Sequence, residues 1–199
     1  MNSEKILYYS GIGYLYSMDI TKFRLTTKNL LLVPISLDYT EDIFREFTPD
    51  ITVYMFPQPY KNINETISYI KYAIKTNNEG SNLKLVVLSK TGEAFLGCAS
   101  INSIDTDTPE FGIWIKQSAH GNSYGKEVIY ALKKWADENL HYGYLLYPVA
   151  DANLPSRRIP ESLRGIVARE YDDANKIGKI LHCLEYQIYP DETGTTFPV

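Results

Sequence analysis

The sequence predicts one α/β domain, in which short β-strands form a sheet with helices packed on it. The chain has 199 residues, of which 44% are hydrophobic, and this is enough for one sizeable core but too little for two domains. Apolar residues recur at helical spacing in two long segments, whereas continuous apolar runs separated by turn residues occur elsewhere. No internal repeat or low-complexity segment interrupts this pattern.

The first half of the chain predicts strands followed by helices. Residues 23–35 favour one or two opening strands, and residues 40–47 favour a short helix that the segment around Pro49 breaks. Asn62 is suited to cap the next helix. Isoleucines recur in that helix every three or four residues and form one face, at Ile63, Ile67, Ile70 and Ile74.

The second half predicts a meander of strands and then a long helix. The meander strands lie at residues 83–88, 94–101 and 110–116. A glycine-bearing loop then leads into a helix that ends near Asn139 and carries Lys133 on its polar side. The remaining chain predicts a strand, a short helix and two strands, at residues 142–149, from about 153, at 166–170 and at 181–188.

Charge and cysteine usage restrict the function. The formal net charge of −4 and the pI near 5.4 argue against a nucleic-acid partner. Cys98 and Cys183 lie far apart in apolar stretches, which predicts two buried free thiols. The three histidines have no metal-ligand spacing, so no metal site is expected.

The location of the protein is predicted from its apolar segments. No apolar run approaches the roughly 20 residues needed to span a bilayer, so no membrane partner is expected. The first twenty residues lack the basic start, continuous apolar segment and small-residue cleavage site of a secretory signal. Together with free cysteines, these observations predict a cytoplasmic protein.

The most informative segment is residues 113–125, where a strand enters a loop containing Gly121 and Gly125 and a helix follows. A helix N-terminus exposes unpaired N–H groups and roughly half a positive charge. Because glycines let the backbone approach an anion, the segment is suited to bind a pyrophosphate. A simple turn explains this short pattern equally well. The Walker lysine and the full GxGxxG spacing are absent, which disfavours ATP and dinucleotides.

The strand order, this loop and the later run Asn-Leu-Pro-Ser-Arg-Arg resemble the GNAT superfamily of N-acetyltransferases, and most of all its ribosomal-protein N-terminal acetyltransferase branch. The family's Gln/Arg-x-x-Gly-x-Gly/Ala loop corresponds to His-Gly-Asn-Ser-Tyr-Gly, with Glu127 two residues beyond it. His120 and Ser123 depart from the family pattern. Ser123 can still present its backbone N–H to the pyrophosphate if its φ is negative. The resemblance implies that the cofactor binds at His120, Gly121, Asn122, Ser123, Tyr124 and Gly125.

The resemblance also implies an α/β (α+β) fold, in which a mixed, mostly antiparallel, splayed sheet is flanked by helices in a single domain. It covers residues 22–190. Residues 1–21 then form an N-terminal extension, whose tyrosines are interpreted as packing on the domain or walling a substrate groove. Residues 191–199 form a C-terminal tail.

A second matching segment, residues 151–163, resembles the family's Asn-x-x-Ser-Arg run. The resemblance places Asn153 beside the pantetheine of acetyl-CoA and Ser156 beside its thiol, and it lets Arg157 reach cofactor phosphate. Helix capping by Asn153 or Ser156 is an equally compatible interpretation. An exposed position is likewise open for Arg157.

The resemblance assigns the chemistry to a few side chains. Glu110 would accept the amine proton through water, because a protonated amine is not nucleophilic. Ser156 and Tyr147 are candidates to protonate the CoA thiolate. The thioester carbonyl would be polarised by the backbone of Ile113, Trp114 and Ile115.

We therefore expect an N-acetyltransferase that transfers the acetyl group of acetyl-CoA to a primary amine by direct attack in a ternary complex. The acceptor is a protein or peptide α-amine or a small-molecule amine, and its identity and the oligomeric state stay open. A non-catalytic acyl-CoA-binding module, or a scaffold without cofactor, are the alternatives.

Overall fold

The computed structural model describes residues 20–91 and 93–191, which form one sheet with helices on both faces. The strands are β1 Leu25–Thr26, β2 Leu30–Pro34, β3 Asn82–Ser89, β4 Phe95–Asn102, β5 Glu110–Ile115, β6 Leu145–Ala150, β7 Ile166–Ala174 and β8 Ile180–Ile188. The helices are α1 Thr40–Glu46, α2 Pro49–Thr52, α3 Ile63–Asn78, α4 Tyr124–Asn139 and α5 Leu154–Ser162. Residues 1–19 of the proposed N-terminal extension, which include the tyrosines interpreted as packing on the domain or as a groove wall, lie outside the described residues, as does nearly all of the C-terminal tail.

The sheet is mixed and mostly antiparallel. Its order is β1-β2-β3-β4-β5-β6-β8-β7, and β5 and β6 form its parallel pair. Every other neighbouring pair is antiparallel. The predicted fold class is thereby confirmed.

Local signals place most elements within a few residues of their observed bounds. Asn62 caps α3, since its Oδ1 accepts the N–H groups of Asn64 at 3.1 Å and Glu65 at 3.2 Å. The segment around Pro49 does not simply break the chain but forms α2, because proline is tolerated in the first turn of a helix.

The two faces of the sheet carry separate apolar cores. On one face α4 and α5 pack on β2 to β6 and on β8, with Leu85, Phe111 and Leu132 among the buried side chains. On the other face α1 and α3 pack on β2 to β5, where Ile43 and Ile70 are buried. Because side chains alternate along a strand, neighbouring residues of β5 serve different cores.

Lys133 lies in the core face of α4 rather than on the predicted polar side. Its side chain is only 3% exposed, and its Nζ lies 2.5 Å from Asp137 and 3.6 Å from Asp191. Paired carboxylates compensate the buried charge, which helical spacing alone could not reveal. Cys98 and Cys183 are buried and free, as predicted. Among the described residues, no helix is long and apolar enough to cross a membrane.

Candidate functional site

Strands β5 and β6 separate after a single register pair. Glu110 of β5 lies opposite Leu146 of β6, and the Leu146 N–H donates to the Pro109 carbonyl at 2.8 Å. Within the described strands, the β5–β6 register contains no pair beyond this one. A gap therefore opens between the two strands toward Ile115 and Ala150, and it leaves backbone groups without a strand partner.

Two N–H groups of β5 point into this gap. The Pro109 carbonyl bonds to β6, whereas the Lys116 N–H donates to β4 at 2.7 Å. Because successive residues direct their backbone groups to opposite sides of a strand, the N–H groups of Ile113 and Ile115 face the gap. By the same alternation Trp114 bonds toward β4. The sequence expectation for the Trp114 backbone is thus corrected.

The loop before α4 leaves the start of this helix uncapped by a side chain. Gly121 has a φ of +82°, and a Cβ there would meet no atom within 4 Å, so its backbone conformation rather than crowding requires glycine. Ser123 is the N-cap residue, but its side chain makes no capping hydrogen bond. The first N–H groups of α4 are therefore available to an anion.

Ser123 does not have the negative φ that its suitability for a cradle required. Its φ is +60° and its ψ is +15°, in the left-handed region. This conformation costs an L-residue about 1–2 kcal/mol. The strain therefore lies within the loop itself, while the N–H groups at the helix start stay exposed.

His120 and Asn122 shape the loop through hydrogen bonds. The Nε2 atom of His120 lies 2.7 Å from the Ile115 carbonyl, and it must carry the hydrogen because a carbonyl only accepts. The Asn122 amide donates to the carbonyls of Ala119 at 3.2 Å and His120 at 3.3 Å. His120 thus holds the loop against the end of β5, whereas Asn122 fixes the conformation of the loop itself.

Glu127 ties the start of α4 to the β1–β2 turn. Its Oε1 accepts from the Thr27 hydroxyl at 2.5 Å and the Asn29 N–H at 2.7 Å, and its Oε2 accepts from the Asn29 amide at 2.9 Å. Burial raises the pKa of Glu127, but these hydrogen bonds outweigh burial and leave the pKa lowered. A charged carboxylate here also complements the helix dipole. The family motif contains Glu127, but the sequence predicted no contact for it.

Gly125 faces the interior of the domain rather than the loop surface. A Cβ at this position would lie 3.5 Å from Ile159 of α5 and 3.9 Å from Ile113 of β5, which is ordinary van der Waals contact. The neighbouring Tyr124 is partly buried against the same core. The absence of a side chain at Gly125 therefore determines how much room is left between β5 and α5 beside the gap.

Tyr147 and Ser156 form a hydrogen-bonded pair at the other side of the gap. The Tyr147 hydroxyl of β6 lies 2.9 Å from the Ser156 hydroxyl of α5. Burial raises the pKa of Tyr147 to about 12, although the hydrogen bond with Ser156 opposes the rise. Asn153 is the N-cap of α5, with its Oδ1 3.4 Å from the Ser156 N–H. The capping interpretation of Asn153 is confirmed, whereas Ser156 lies within the helix.

Arg157 is held by neighbouring carboxylates. Its Nη1 lies 2.6 Å from Asp151 Oδ1, and its Nη2 lies 3.7 Å from Glu161 Oε1. The Arg157 guanidinium therefore forms its ion pairs within the protein. These contacts do not support the expectation that Arg157 reaches a cofactor phosphate. Arg158, by contrast, is exposed.

Glu110 belongs to a polar cluster on the α1/α3 face. The Lys84 ammonium donates to Asn102 Oδ1 at 2.8 Å, which turns the Asn102 amide nitrogen toward β5, where it hydrogen-bonds Glu110. Burial, followed by the nearby Glu185 carboxylate, raises the pKa of Glu110, while Lys84 and Asn102 oppose the rise. Burial correspondingly lowers the pKa of Lys84. Glu110 is therefore a better proton acceptor than an exposed carboxylate.

An open cleft lies beside this cluster, with a volume of about 690 Å³. The α2–α3 loop and the β7–β8 turn form its rim, where the Lys176 N–H donates to the Phe56 carbonyl at 3.4 Å. Its aromatic walls and its floor are Phe47, Tyr60, Tyr69, Trp114, Cys98, Ser100 and Gly112. The sequence did not indicate these walls, since 17 tyrosines along the chain offer no way to single out two of them.

The structure thus brings the predicted catalytic residues to the two faces of one gap. Tyr147 and Ser156 lie on the α4/α5 face, and Glu110 lies on the α1/α3 face next to the cleft. The loop and the exposed start of α4 follow directly from the end of β5. Among the described residues, no group of three or more His, Cys, Asp or Glu side chains is placed to hold a metal ion.

The gap between β5 and β6 offers room for a linear acyl chain, and the uncapped start of α4 offers N–H groups to a pyrophosphate, which is the arrangement that an acyl-CoA-dependent acyltransferase needs. The profile of the acetyltransferase (GNAT) domain family matches residues 29–165, and the chain belongs to this family. Acetyl-CoA is accordingly its acyl donor. No curated protein sequence matches the chain.

Solved acetyltransferases share this fold. The microcin self-immunity acetyltransferase MccE, in complex with acetyl-CoA and AMP, is 16% identical, with 86% of this chain and 99% of that chain covered and a TM-score of 0.74. The ribosomal-protein α-N acetyltransferase RimL, in complex with coenzyme A, is 13% identical, with coverages of 84% and 98% and a TM-score of 0.75. An acetyltransferase from Salmonella typhimurium that modifies the N-terminal serine of a 50S ribosomal protein is 14% identical, with coverages of 83% and 97% and a TM-score of 0.71.

Proposed function

We propose that this acetyltransferase transfers the acetyl group of acetyl-CoA directly to a primary amine that enters from the cleft. The observation that carries this proposal is the gap between β5 and β6, with Tyr147 and Ser156 on one face and Glu110 on the other. Donor and acceptor can therefore meet in the gap from opposite sides without a covalent enzyme intermediate.

The start of α4 is the proposed seat of the CoA pyrophosphate. Its first N–H groups have no side-chain cap, and the open space above Gly121 admits a large anion. Pantetheine then follows the gap past Gly125 toward Ser156. Backbone N–H groups of Ile113 and Ile115 face the gap and would polarise the thioester carbonyl.

Glu110 is the proposed base. Because Glu110 does not line the cleft while Ser100 and Gly112 do, the amine proton would reach its carboxylate through water. The freed amine lone pair attacks the thioester carbon, and the carbon–sulfur bond breaks as the amide forms. The sulfur takes a proton from the Tyr147–Ser156 pair, in which burial raises the pKa of Tyr147 and so keeps its hydroxyl protonated at neutral pH. The second proton that the nitrogen then loses passes through water to the Tyr147–Ser156 pair and replaces the proton given to sulfur.

The class of the amine acceptor and the cellular location of the protein are also part of the proposal. A protein or peptide α-amine is favoured because solved relatives with this fold include enzymes that modify ribosomal-protein N-termini. The two unpaired buried cysteines suit the reducing cytoplasm.

The test is release of CoA thiol from acetyl-CoA in the presence of a panel of peptides and small amines. Release that depends on an amine, and that is lost in Glu110→Gln while calorimetric binding of acetyl-CoA persists, supports the proposal. Binding without release from any amine contradicts it and favours an acyl-CoA-binding module.

A further inference from the structure

The cleft beside Glu110 has walls of aromatic rings that contact one another at tilted angles. The Phe47 ring lies 5.1 Å from that of Trp114 and 5.6 Å from that of Tyr60, and the Tyr60 and Tyr69 rings are 5.7 Å apart. Gly112 keeps the floor open, because a Cβ there would lie 2.6 Å from the Ser100 hydroxyl. A flat or bulky apolar group can therefore lie against these rings within reach of β5.

Two phenol hydroxyls in this cleft lack protein partners. Tyr60 and Tyr69 are partly buried, and neither hydroxyl makes a hydrogen bond within the described part of the chain. Burial raises the pKa of both tyrosines, so they stay neutral hydrogen-bond donors. Because these hydroxyls line an open cleft and have no protein partner among the described residues, a bound ligand or water can accept their hydrogen bonds.

The charge at the cleft mouth is mainly positive. Lys61 and Lys176 are exposed at the rim. The carboxylate of Glu65, also at the rim, accepts the Lys61 N–H at 3.0 Å and the Asn62 amide at 3.3 Å as part of the α3 cap. Several carboxylates would be needed to bind a polycation, and among the described residues that line the cleft Glu65 is the acidic one.

The rim also exposes apolar surface. Ile177 at the β7–β8 turn is 71% exposed, and Tyr54 on the facing loop is 37% exposed. Lys179 of the same turn donates to the Val53 carbonyl at 3.0 Å, so the turn and the loop are joined at this edge. Apolar groups at an open mouth suit an acceptor that extends out of the cleft.

From these contacts we infer that the acceptor is an amine with a large apolar or aromatic group next to it and an anionic group further out. The apolar group lies against Trp114 and Phe47, oxygen atoms of the acceptor meet the Tyr60 and Tyr69 hydroxyls, and the anionic group meets the rim lysines. Polyamines and aminoglycosides are excluded as preferred acceptors. The inference rests on the proposed function, because the cleft must present the amine to Glu110.

Binding to the cleft can be measured without turnover, because Trp114 and Trp135 are the two tryptophans and Trp135 packs against Phe23 on the other face of the sheet. In a Trp135→Phe background, Trp114 emission reports occupancy of the cleft. The ligands are Phe-Asp-Ala amide, Phe-Lys-Ala amide, Gly-Asp-Ala amide, free phenylalanine and spermidine. We expect the first peptide to bind at least tenfold more tightly than the second, the third and spermidine.

Charge reversal of the rim lysines tests whether the cleft prefers an acceptor with an anionic group. Lys61→Glu combined with Lys176→Glu should invert the preference between the Asp and Lys peptides, whereas Lys71→Glu on the exposed side of α3 should leave it unchanged. Tyr69→Phe should weaken the Phe-Asp peptide severalfold without changing the melting temperature. Tighter binding of free phenylalanine than of the peptide would identify a small-molecule source for the same chemistry.

Equal affinities for the Phe and Gly peptides, an unchanged preference after charge reversal, or tightest binding of spermidine would each overturn the inference. Thiol release is measured in parallel. Trp114 emission could change with the predicted ligand preference while no amine releases CoA thiol. That result would contradict the proposed acetyl transfer but would support the inferred ligand preference of the cleft.

Discussion

The Tyr147 hydroxyl lies 2.9 Å from the Ser156 hydroxyl, joining β6 to α5 across the edge of the gap. The two residues that were separate candidates to protonate the thiolate are therefore one hydrogen-bonded unit. In the proposed transfer, a proton given to sulfur by either hydroxyl is replaced from the other, so we expect their effects on turnover to be coupled.

Ser156→Ala and Tyr147→Phe should each lower kcat by about tenfold or more while the KM for acetyl-CoA changes less. The double variant should be little slower than the slower single one, because both changes interrupt the same proton route. Steady-state kinetics of the four proteins gives the coupling. Tyr186→Phe is the matched control, since it removes a hydroxyl that bonds Glu161 of α5 at 3.0 Å outside this pair. Additive losses for the pair would contradict a shared route.

Glu110→Gln should lower turnover near pH 7 by roughly a hundredfold while acetyl-CoA affinity is retained. Because the pKa of Glu110 is raised, wild-type activity should fall as pH decreases through that raised value. The deficit of the variant should shrink as pH rises toward the pKa of the amine, since free amine then needs no base. A pH–rate profile against one good acceptor measures both effects.

Glu185→Gln provides the control for this assignment. The Glu185 carboxylate helps to raise the pKa of Glu110, so its neutralisation should move the acidic limb of the profile to lower pH. The plateau at higher pH should stay the same. Near-normal turnover of Glu110→Gln at neutral pH would show that the base lies elsewhere.

Gly125→Val should weaken acetyl-CoA binding by about tenfold or more, about 1.4 kcal/mol. The physical reason is that a valine would extend its branches between Ile113 and Ile159 and narrow the space beside the gap. Gly125→Ala should bind normally and gain up to about 1 kcal/mol of stability, because its Cβ fits and alanine favours the helix. Calorimetry and thermal unfolding of both variants test the distinction. Equal affinities of the two variants for acetyl-CoA would refute a steric role for this space in cofactor binding.

Ser123→Gly should raise the free energy of unfolding by about 1 kcal/mol or less. Glycine relieves the left-handed strain, and the Ser123 side chain makes no capping bond to lose. Acetyl-CoA affinity should be equal or higher, because the helix start keeps its conformation. Urea unfolding combined with calorimetry measures the two quantities, and a destabilised variant with weaker binding would show that the serine itself is required.

Glu127→Gln should destabilise the protein near pH 7 by loosening the β1–β2 turn from α4. A lowered pKa means that the carboxylate contributes stability above its unfolded value of 4.5, and that this contribution is lost as pH falls through the folded pKa. The difference in unfolding free energy between the two proteins should therefore disappear in acid. Glu138→Gln on the same helix is the control. A difference that persists in acid would indicate lost packing instead of lost charge.

The sequence by itself determined the local elements. Asn62 marks the start of α3, the alternating runs mark β3 to β5, and the glycine loop marks the start of α4. Each of these features depends on residues close together in the chain, where capping, periodicity and turn preference act. The candidates Glu110, Tyr147 and Ser156 came from spaced motifs, which name residue types without distances.

Only the tertiary structure decided how those residues meet. The hydrogen bond between Tyr147 and Ser156, the burial of Lys133 between carboxylates, and the left-handed φ of Ser123 depend on how separate elements pack. The aromatic cleft joins α1, α3, β5 and the β7–β8 turn, which are distant in the chain. Such contacts follow from the strand register and from how the helices pack on the sheet. The neighbours of a residue in the sequence determine which face of its strand or helix it occupies, but they do not determine which residue of another element it contacts.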